Sequence, residues 1–297
     1  MKCYFHRNDL DGICSGAIVK YKYPECEMIG VDYGDDLVVN SNKLIETLIS
    51  KETIFIVDFS FDRDMMDYLD GFCDLIWIDH HKTAIEKCEG LEIEGLREVG
   101  VAGCELTWSY FYPVEEIPIA IRLLGRYDVW DNNNPHYDWN NEIMPFQYGM
   151  RLKNLDTNPW NTWDLLFNSA HPVGFISDII DHGQICLRYQ KQQNEKVLRS
   201  NYFEIDFEGH KALCLNSTGF NSQVFEAIWD EEKYDIMLCF AFLGTKWKVS
   251  LYSTKDSVDV SEIAKEHGGG GHKGAAGFVI DSIEEIILSK AKEGSNG

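Results

Sequence analysis

Five short segments of this 297-residue chain combine side chains that bind metals or phosphates. The first is HRNDLDG at 6–12, which holds His6, Asp9 and Asp11 in a loop directly after a predicted strand. One imidazole and two carboxylates so close together suit divalent cations of hard to borderline character. A solvated turn is the alternative interpretation, because Asp-Gly is itself a turn signal.

Two further segments place polar side chains directly after apolar strand patterns. Asp58 ends the run IFIVD, and Asp79, His80 and His81 end the run LIWIDHH. Ligands of open α/β sheets bind at the carboxyl ends of such buried strands. One of two adjacent imidazoles can bind a metal while the other faces the substrate, and a carboxylate such as Asp79 can orient a ring. A helix cap at Asp58 and solvated loop histidines are the alternatives.

The segment GRYDVWD at 125–131 offers two carboxylates after a predicted helix, Asp128 and Asp131. Asp128 directly follows the helix and is the better candidate ligand, with Asp131 in reserve. Taken alone, carboxylates in this position are most simply a solvated helix end.

The fifth segment, GGGGHKGAAGF at 268–278, is rich in glycine. Glycines let successive backbone N–H groups approach an oxyanion, and His272 and Lys273 add charged donors. A flexible linker is the alternative, but an apolar strand pattern, AAGFVI, follows at once. The segment therefore favours phosphate binding.

Alternating strand and helix patterns in the first 130 residues predict the elements that position these groups. Such alternation is typical of a parallel sheet covered by helices. The predicted strands are 3–6, 27–31, 54–58 and 75–79, and helices are predicted over 101–112 and 117–126. Segment 131–171, rich in Asn, Pro and Trp, is interpreted as an irregular insertion with short helices.

A long polar helix over roughly 173–199 precedes a second strand-rich region. Strands are predicted in YFEIDF, HKALCLN, YDIMLCFAFL and KWKVSLYS, with helices near 222–228 and before the glycine segment. We therefore predict a metal-binding parallel-sheet domain over 1–171, a connecting helix over 172–201 and a smaller α/β substrate-binding domain over 202–297. The active site is expected in the cleft between the two domains.

Charge and composition limit the partners. Acidic residues outnumber basic ones 49 to 27, which gives a net charge of -22. This charge opposes a sequence-independent grip on long duplex DNA, although a local phosphate site with bound cations stays compatible with it. Nine scattered cysteines without a CxxC indicate neither a disulfide framework nor a structural zinc site. No apolar stretch approaches the roughly 20 residues of a membrane span, so a cytoplasmic protein without a membrane partner is expected.

HRNDLDG, IVDFS, IDHHK and GRYDVWD occur in this order, and together they resemble the four motifs of the DHH phosphoesterase family. The family is named for the triplet that is Asp79-His80-His81 here. GGGGHKGAAGF resembles the signature of the DHH-associated domain that ends one large branch. Members are metal-dependent hydrolases of phosphodiester or phosphoanhydride bonds and are typically manganese enzymes. The resemblance leaves the region from 131 to about 200 unaccounted for.

The resemblance implies two manganese ions per chain, with Mg²⁺ or Co²⁺ as substitutes. It implies one ion held by His6, Asp9 and Asp58, and a second held by Asp11, Asp58, His80 and Asp128, with Asp58 shared. The implied catalytic residues are Asp58, Asp79 and His81, and His81 would contact the scissile phosphate. The implied substrate-binding residues of the second domain are Gly269, Gly270, Gly271, His272, Lys273 and Tyr252. Tyr252 stands where family members often have arginine.

We expect hydrolysis of short oligonucleotides or small nucleotides, as in the nanoRNase branch, because the net charge opposes long strands. A phosphoanhydride hydrolase acting on pyrophosphate or polyphosphate and a single-strand-specific exonuclease stay open as alternatives. A regulatory module without metal is disfavoured, because no implied ligand is missing. The polarity of attack, the preferred base and the choice between monomer and homodimer are left open.

Overall fold

The computed structural model describes residues 1–35, 38, 44–46, 48–153, 162–168, 172–217 and 222–287. The chain divides into two compact units, 1–187 and 188–297, and the division falls inside one long helix, α8 (Pro172–Asn201). The predicted α/β class is confirmed, with a parallel sheet in the first unit and a second sheet in the other. Among the described residues, no helix combines the length and the apolar character needed to cross a bilayer.

The first unit is built on a four-stranded parallel sheet with the strand order β2-β1-β3-β4. Its strands are β1 (Lys2–His6), β2 (Glu27–Val31), β3 (Thr53–Val57) and β4 (Asp74–Ile78). Its helices are α1 (Leu10–Lys22), α2 (Arg63–Phe72), α3 (Lys82–Lys87), α4 (Gly103–Phe111), α5 (Ile119–Asp128), α6 (Met144–Arg151) and α7 (Asp164–Phe167), with a π-helix at Trp139–Ile143. Each predicted strand is present with its ends shifted by at most one residue.

The third strand shows why this sheet is buried on both faces. Phe55 and Val57 belong to one hydrophobic cluster, whereas Ile54 and Ile56 belong to the other. Successive side chains of a strand point to opposite faces of the sheet, so one continuous apolar run fills two cores. Helices α1, α4 and α5 contribute to the first cluster and α2 contributes to the second.

The strand order creates a switch point beside β1. The chain passes from β1 to β2 on one side and then returns to place β3 on the other side. Residues Lys2 to Phe5 pair in parallel with Ile54 to Val57. Ligands of open α/β sheets bind outside the carboxyl ends of the strands at such a point. The segments that follow β1, β3 and β4 therefore start from the same edge of the sheet.

The insertion contains short helices, as predicted, although residues 154–161 and 169–171 lie outside the described part of the chain. Helices α6 and α8 cross in close contact. A Cβ atom at Gly183 would lie 1.7 Å from the carbonyl oxygen of Pro145, and one at Gly149 would lie 2.0 Å from that of Ile179. The crossing therefore depends on two glycines whose backbones face the neighbouring helix.

The second unit contains a six-stranded sheet in the order β5-β6-β7-β8-β10-β9, in which only the β6–β7 pair is parallel. Its strands are β5 (Tyr202–Phe207), β6 (His210–Asn216), β7 (Ile236–Phe242), β8 (Trp247–Tyr252), β9 (Gly270–His272) and β10 (Ala275–Ile280). Two α-helices are described, α9 (Val260–Glu266) and α10 (Glu284–Ile287). The helix predicted near 222–228 is only a 3-10 turn, Ser222–Phe225, so that prediction was too long.

We expect Gly183→Ala to destabilise the chain by about 3 kcal/mol, because the added methyl group forces α6 and α8 apart. Gly174→Ala in the same helix is the matched control, since a Cβ there meets no atom within 4 Å. The control should be neutral or stabilise by up to about 1 kcal/mol, because alanine favours helices over glycine. Urea unfolding of both variants measures the difference, and equal stabilities would contradict the close crossing.

Candidate functional site

Two candidate ligands, His6 and Asp9, lie where strand β1 leads directly into helix α1. His6 ends β1, and Asp9 caps α1 by accepting a hydrogen bond from the N–H of Gly12 at 2.8 Å. A Cβ atom at Gly12 would lie 2.1 Å from the carbonyl oxygen of His6. The glycine of HRNDLDG therefore lets the helix start directly against the strand, which holds His6 and Asp9 together.

Asp11 is buried and fixed by the first turn of α4. Its Oδ2 atom accepts from the N–H of Gly103 at 2.7 Å, and its Oδ1 atom accepts from the N–H of Cys104 at 2.8 Å. Charge-assisted bonds from a helix N-terminus stabilise a carboxylate. The carboxylate of Asp11 is thus held in one orientation by a helix that lies far along the sequence.

Asp58 lies at the centre of the site and is 1% exposed. Its φ angle of +51° is in the left-handed region, which is uncommon for a residue other than glycine. Its backbone N–H donates to the carbonyl oxygen of Ile78 at 2.9 Å, so the residue stays tied to β4. A Cβ atom at Gly103 would lie 2.8 Å from the Oδ1 atom of Asp58. Strained conformations of this kind concentrate at functional sites.

Two sets of candidate metal ligands meet at Asp58. On one side, the Nδ1 atom of His6 lies 2.6 Å from Oδ2 of Asp9 and 4.0 Å from Oδ2 of Asp58. On the other side, the Nε2 atom of His80 lies 3.2 Å from Oδ1 of Asp58, 3.3 Å from Oδ2 of Asp128 and 3.6 Å from Oδ2 of Asp11. The two oxygens of Asp58 thus face different ligand sets.

The donor atoms of this site fit divalent cations. The buried Oδ1 atom of Asp58 receives no aligned hydrogen bond from any described residue, even from His80 at 3.2 Å. A carboxylate oxygen and an imidazole nitrogen that approach in this way fit two ligands of one ion. Mixed imidazole and carboxylate ligands suit transition metals such as manganese, and a shared carboxylate suits a pair of ions.

The pKa values of the site residues also favour a site for cations. Burial and the negative charges of Asp11, Asp9 and Asp128 raise the pKa of Asp58 well above its usual range. Burial and the charges of Asp11 and Asp9 also raise the pKa of Asp128. Burial lowers the pKa of His80, which favours the neutral imidazole that binds metals. Without bound cations, the negative charges of these carboxylates repel one another.

His81 has a different environment from His80. Its Nδ1 atom lies 2.7 Å from Oδ1 of the buried Asp79, which also accepts the backbone N–H groups of His80 at 2.7 Å and His81 at 3.1 Å. Burial alone would lower the pKa of His81, but the bond to Asp79 and the surrounding carboxylate charges outweigh it and raise the pKa to about 9. Asp79 therefore orients a cationic imidazole toward the same site.

Of the two carboxylates in GRYDVWD, the structure brings Asp128 to the site. Asp128 lies beside His80, whereas Asp131 forms an ion pair with Arg126 at 3.3 Å. Arg126 also pairs with the fully buried Glu105 of α4, which bonds Arg122 at 2.8 Å as well. Helix α5, which ends at Asp128, is thus tied to the helix that holds Asp11.

Three residues near the site were not predicted from the sequence. Asp32 follows β2, and its Oδ1 atom lies 3.9 Å from the Nε2 atom of His6. Its signal was available, because Asp32 follows an apolar strand just as Asp58 does. Glu105 is a lone charge in an apolar helix, GCELTWSYF, which also indicates a buried partner. Gly103 carries no recognisable signal, since its role depends on contacts with distant residues.

The second unit places three candidate substrate residues along one edge of its sheet. Tyr252 of β8 and His272 of β9 both pair with Ala275 of β10, so their side chains lie in one row on the same face. Tyr252 packs against a hydrophobic cluster and is partly buried, while His272 is exposed. Lys273 is exposed and lies 3.7 Å from Asp256.

Part of the glycine segment is a β-strand instead of the phosphate-binding loop that the sequence suggests. Gly270 and Gly271 form strand β9 with His272, and a Cβ atom at Gly271 would lie 2.5 Å from the Cα atom of Ala276. The N–H of Gly269 donates to the carbonyl oxygen of Ala264 at 2.8 Å, where it ends α9. Close packing therefore explains part of the glycine run, and the N–H of Gly269 is already engaged.

Comparisons with known proteins agree with this description. Residues 220–293 match the model of the DHHA1 domain. Oligoribonuclease NrnB of Bacillus subtilis (strain 168) is 22% identical, and the match covers 97% of this chain and 75% of NrnB. The uncharacterized protein R106 of Acanthamoeba polyphaga mimivirus is 28% identical over 80% of this chain. The chain spans only 56% of that viral relative.

Two solved structures share the fold. The DHH domain of a protein assigned to a family of ribosomal proteins superposes with a TM-score of 0.58 at 11% identity, over 94% of this chain and 82% of that one. The pGpG-specific phosphodiesterase PggH from Vibrio cholerae superposes with a TM-score of 0.55 at 12% identity, over 98% of this chain and 96% of that one. The DHHA1 match and the match to NrnB confirm the resemblance to DHH phosphoesterases, and the two structures confirm the fold.

We expect Asp58→Asn to abolish the binding of two manganese ions and yet to stabilise the metal-free protein, on the order of 1 kcal/mol. The substitution removes a buried repelled charge, and asparagine tolerates a positive φ angle better than most residues. Because the pKa of Asp58 is raised on folding, the parent loses stability as the pH rises above the ordinary aspartate value. The advantage of the variant should therefore grow with pH.

Isothermal titration with manganese and urea unfolding in chelator measure the two effects. Asp131→Asn is the matched control, since Asp131 pairs with Arg126 instead of His80. The control should keep both metals. Parent-like binding of two ions by Asp58→Asn would contradict the shared carboxylate.

Proposed function

We propose that this chain hydrolyses phosphodiester bonds of short oligonucleotides or small nucleotides with two bound divalent cations. The observation that carries the proposal is the buried carboxylate of Asp58, which faces two ligand sets and whose Oδ1 atom lacks an aligned donor among the described residues. The names of two relatives support the reaction class, because NrnB is an oligoribonuclease and PggH is a pGpG-specific phosphodiesterase.

Manganese is the proposed metal, because both ligand sets mix imidazole with carboxylates. The first ion would be held by His6, Asp9 and Asp58, and the second by Asp11, Asp58, His80 and Asp128. When bound, such a pair neutralises the phosphate oxygens and activates water. The N–H groups of Gly103 and Cys104 would keep the carboxylate of Asp11 turned toward His80.

His81 is the proposed catalytic residue that handles a proton. Its Nδ1 atom lies 2.7 Å from Oδ1 of Asp79, which fixes the orientation of the imidazole ring. In the protein without bound cations, the bond to Asp79 and the nearby carboxylates raise the pKa of His81 to about 9. When cations neutralise the other carboxylates, the bond to Asp79 still favours the protonated imidazole. We propose that Nε2 donates a hydrogen bond to the scissile phosphate and then a proton to the leaving oxygen. Asp79 acts through His81 and is a positioning residue.

The second unit is proposed to bind a neighbouring phosphate of the substrate. His272, at the end of strand β9, and the next residue, Lys273, have exposed polar side chains. Tyr252 lies in the same row of the sheet as His272. We propose that the second unit acts as the substrate-binding domain that the sequence predicts.

Charge is the proposed basis of a preference for short substrates. Each phosphate beyond the site meets a protein with a net charge of -22, whereas the attraction is local. All nine cysteines are unpaired and eight of them are buried, which is compatible with a reducing compartment. We therefore propose a cytoplasmic enzyme that acts on small nucleic-acid fragments.

We expect hydrolysis with manganese to be fastest on substrates of about two to five nucleotides and to fall with length, because surface repulsion grows with each phosphate. Initial rates on a dinucleotide, a strand of about 24 nucleotides, a cyclic dinucleotide and pyrophosphate measure this in one panel. Moderate salt is the internal control, since screening should narrow the gap between short and long strands.

Faster cleavage of the long strand at low salt would contradict the proposal and favour a single-strand exonuclease. Fast cleavage of pyrophosphate without any cleavage of the dinucleotide would favour a phosphoanhydride hydrolase. Turnover that persists in excess chelator would contradict the dependence on metal.

We expect His272→Ala to raise KM for the dinucleotide about 10-fold and to leave two manganese ions bound, because a lost charge-assisted bond to phosphate weakens binding and not the metal site. Steady-state kinetics and metal analysis of the same preparations measure both effects. His182→Ala, at an exposed histidine of α8, is the control and should behave like the parent. Loss of metal in His272→Ala would show that the glycine strand has a different role.

A further inference from the structure

Three aromatic residues form a group around the end of helix α5, which ends at Asp128: Tyr127, Trp130 and Trp139. The rings of Tyr127 and Trp139 are parallel, with centroids 5.7 Å apart. Trp130 packs against Trp139 edge to face at 4.9 Å. Trp130 follows Asp128 by two residues, so their Cα atoms are at most about 7 Å apart. This aromatic group is therefore a close neighbour of the carboxylate that faces His80.

The backbone conformation of Trp130 ends helix α5. Its φ angle is +55°, in the left-handed region, which is a genuine outlier for a bulky residue. Its N–H donates to the carbonyl oxygen of Tyr127 at 3.1 Å, and the N–H of Asp131 donates to that of Arg126 at 2.9 Å. These two bonds form a Schellman helix cap, which accounts for the positive φ angle. The side chain is nevertheless 48% exposed. The helix cap thus leaves a large aromatic ring exposed to solvent two residues after Asp128.

Trp139 is also positioned by an uncommon element. It is the first residue of the π-helix, a form that is rare and often found at functional sites. The carboxylate of Asp138 caps this helix by accepting the N–H groups of Asn140 at 2.8 Å and Asn141 at 2.9 Å. The support beneath Trp130 is therefore rigid.

The charge of the chain makes aromatic contacts valuable for nucleotide binding. With a net charge of -22, affinity cannot depend on many basic contacts to phosphates. Stacking of a base on an aromatic face needs no positive charge and tolerates every base. The exposed Arg151 adds one cation to the group, since its guanidinium lies 5.8 Å from the Tyr127 ring and 4.9 Å from the Tyr148 ring.

We infer that Trp130, supported by Trp139, stacks on a nucleobase of the substrate whose phosphate lies at the two ligand sets. This inference rests on the proposed function and adds a base-binding subsite to it. One sugar separates a base from its phosphate, which matches the short path from Asp128 to Trp130. The subsite selects nucleotides over phosphoesters that lack a base.

The test compares a 5′-phosphorylated diadenylate with analogues in which one adenine at a time is removed to leave an abasic sugar. The parent should prefer the intact dinucleotide over one analogue by about 10-fold or more in kcat/KM. Trp130→Gly should reduce this ratio to about one, and Trp130→Phe should keep most of it. Glycine suits the left-handed backbone, so this variant removes the ring without adding strain.

Tyr68→Ala is the matched control, because Tyr68 is an exposed aromatic of the same unit that stacks on Phe72 in its own helix. It should keep the parent's ratio. A parent ratio near one, or an unchanged ratio in Trp130→Gly, would overturn the inference.

Binding of a dinucleotide with an uncleavable methylphosphonate linkage separates this inference from the proposed function. Quenching of tryptophan fluorescence that depends on Trp130 and on the base supports the subsite, even if the parent cleaves no dinucleotide and the proposed function fails. Cleavage by the parent, together with binding that ignores Trp130, would overturn the subsite alone.

Discussion

Repulsion between the buried carboxylate of Asp58 and the carboxylates around it is the constraint on which the rest of this structure depends. Asp58 is almost fully buried, and the charges of Asp9, Asp11 and Asp128 act on it from two sides. Such a cluster is costly in a protein interior unless protons or cations neutralise it. We propose that a pair of divalent cations neutralises it, because each oxygen of Asp58 faces its own ligand set.

The surrounding scaffold keeps the cluster in place despite this repulsion. Helix α4 starts at Gly103, whose missing side chain leaves room for Asp58, and its first N–H groups hold Asp11. The buried Glu105 of the same helix binds Arg126, and α5 then ends at Asp128. Helix α4 therefore positions two carboxylates. Its backbone N–H groups bind Asp11 directly, and its Glu105 positions Asp128 through the ion pair with Arg126.

Much of this could be predicted from the sequence, because strands and the residues that follow them are local patterns. The run IFIVD predicted both a buried strand and a carboxylate at its end. The sequence favoured Asp128 over Asp131 but could not show why, since the reason is an ion pair between Asp131 and Arg126. The glycine run was also ambiguous, because close strand packing and phosphate binding require the same residue.

Diffraction from crystals soaked with manganese, measured at the manganese absorption edge, tests the shared carboxylate most directly. The account predicts two anomalous peaks about 3.5 to 4 Å apart, with one oxygen of Asp58 bound to each or shared between them. A single peak, or two peaks that Asp58 does not contact, would contradict it.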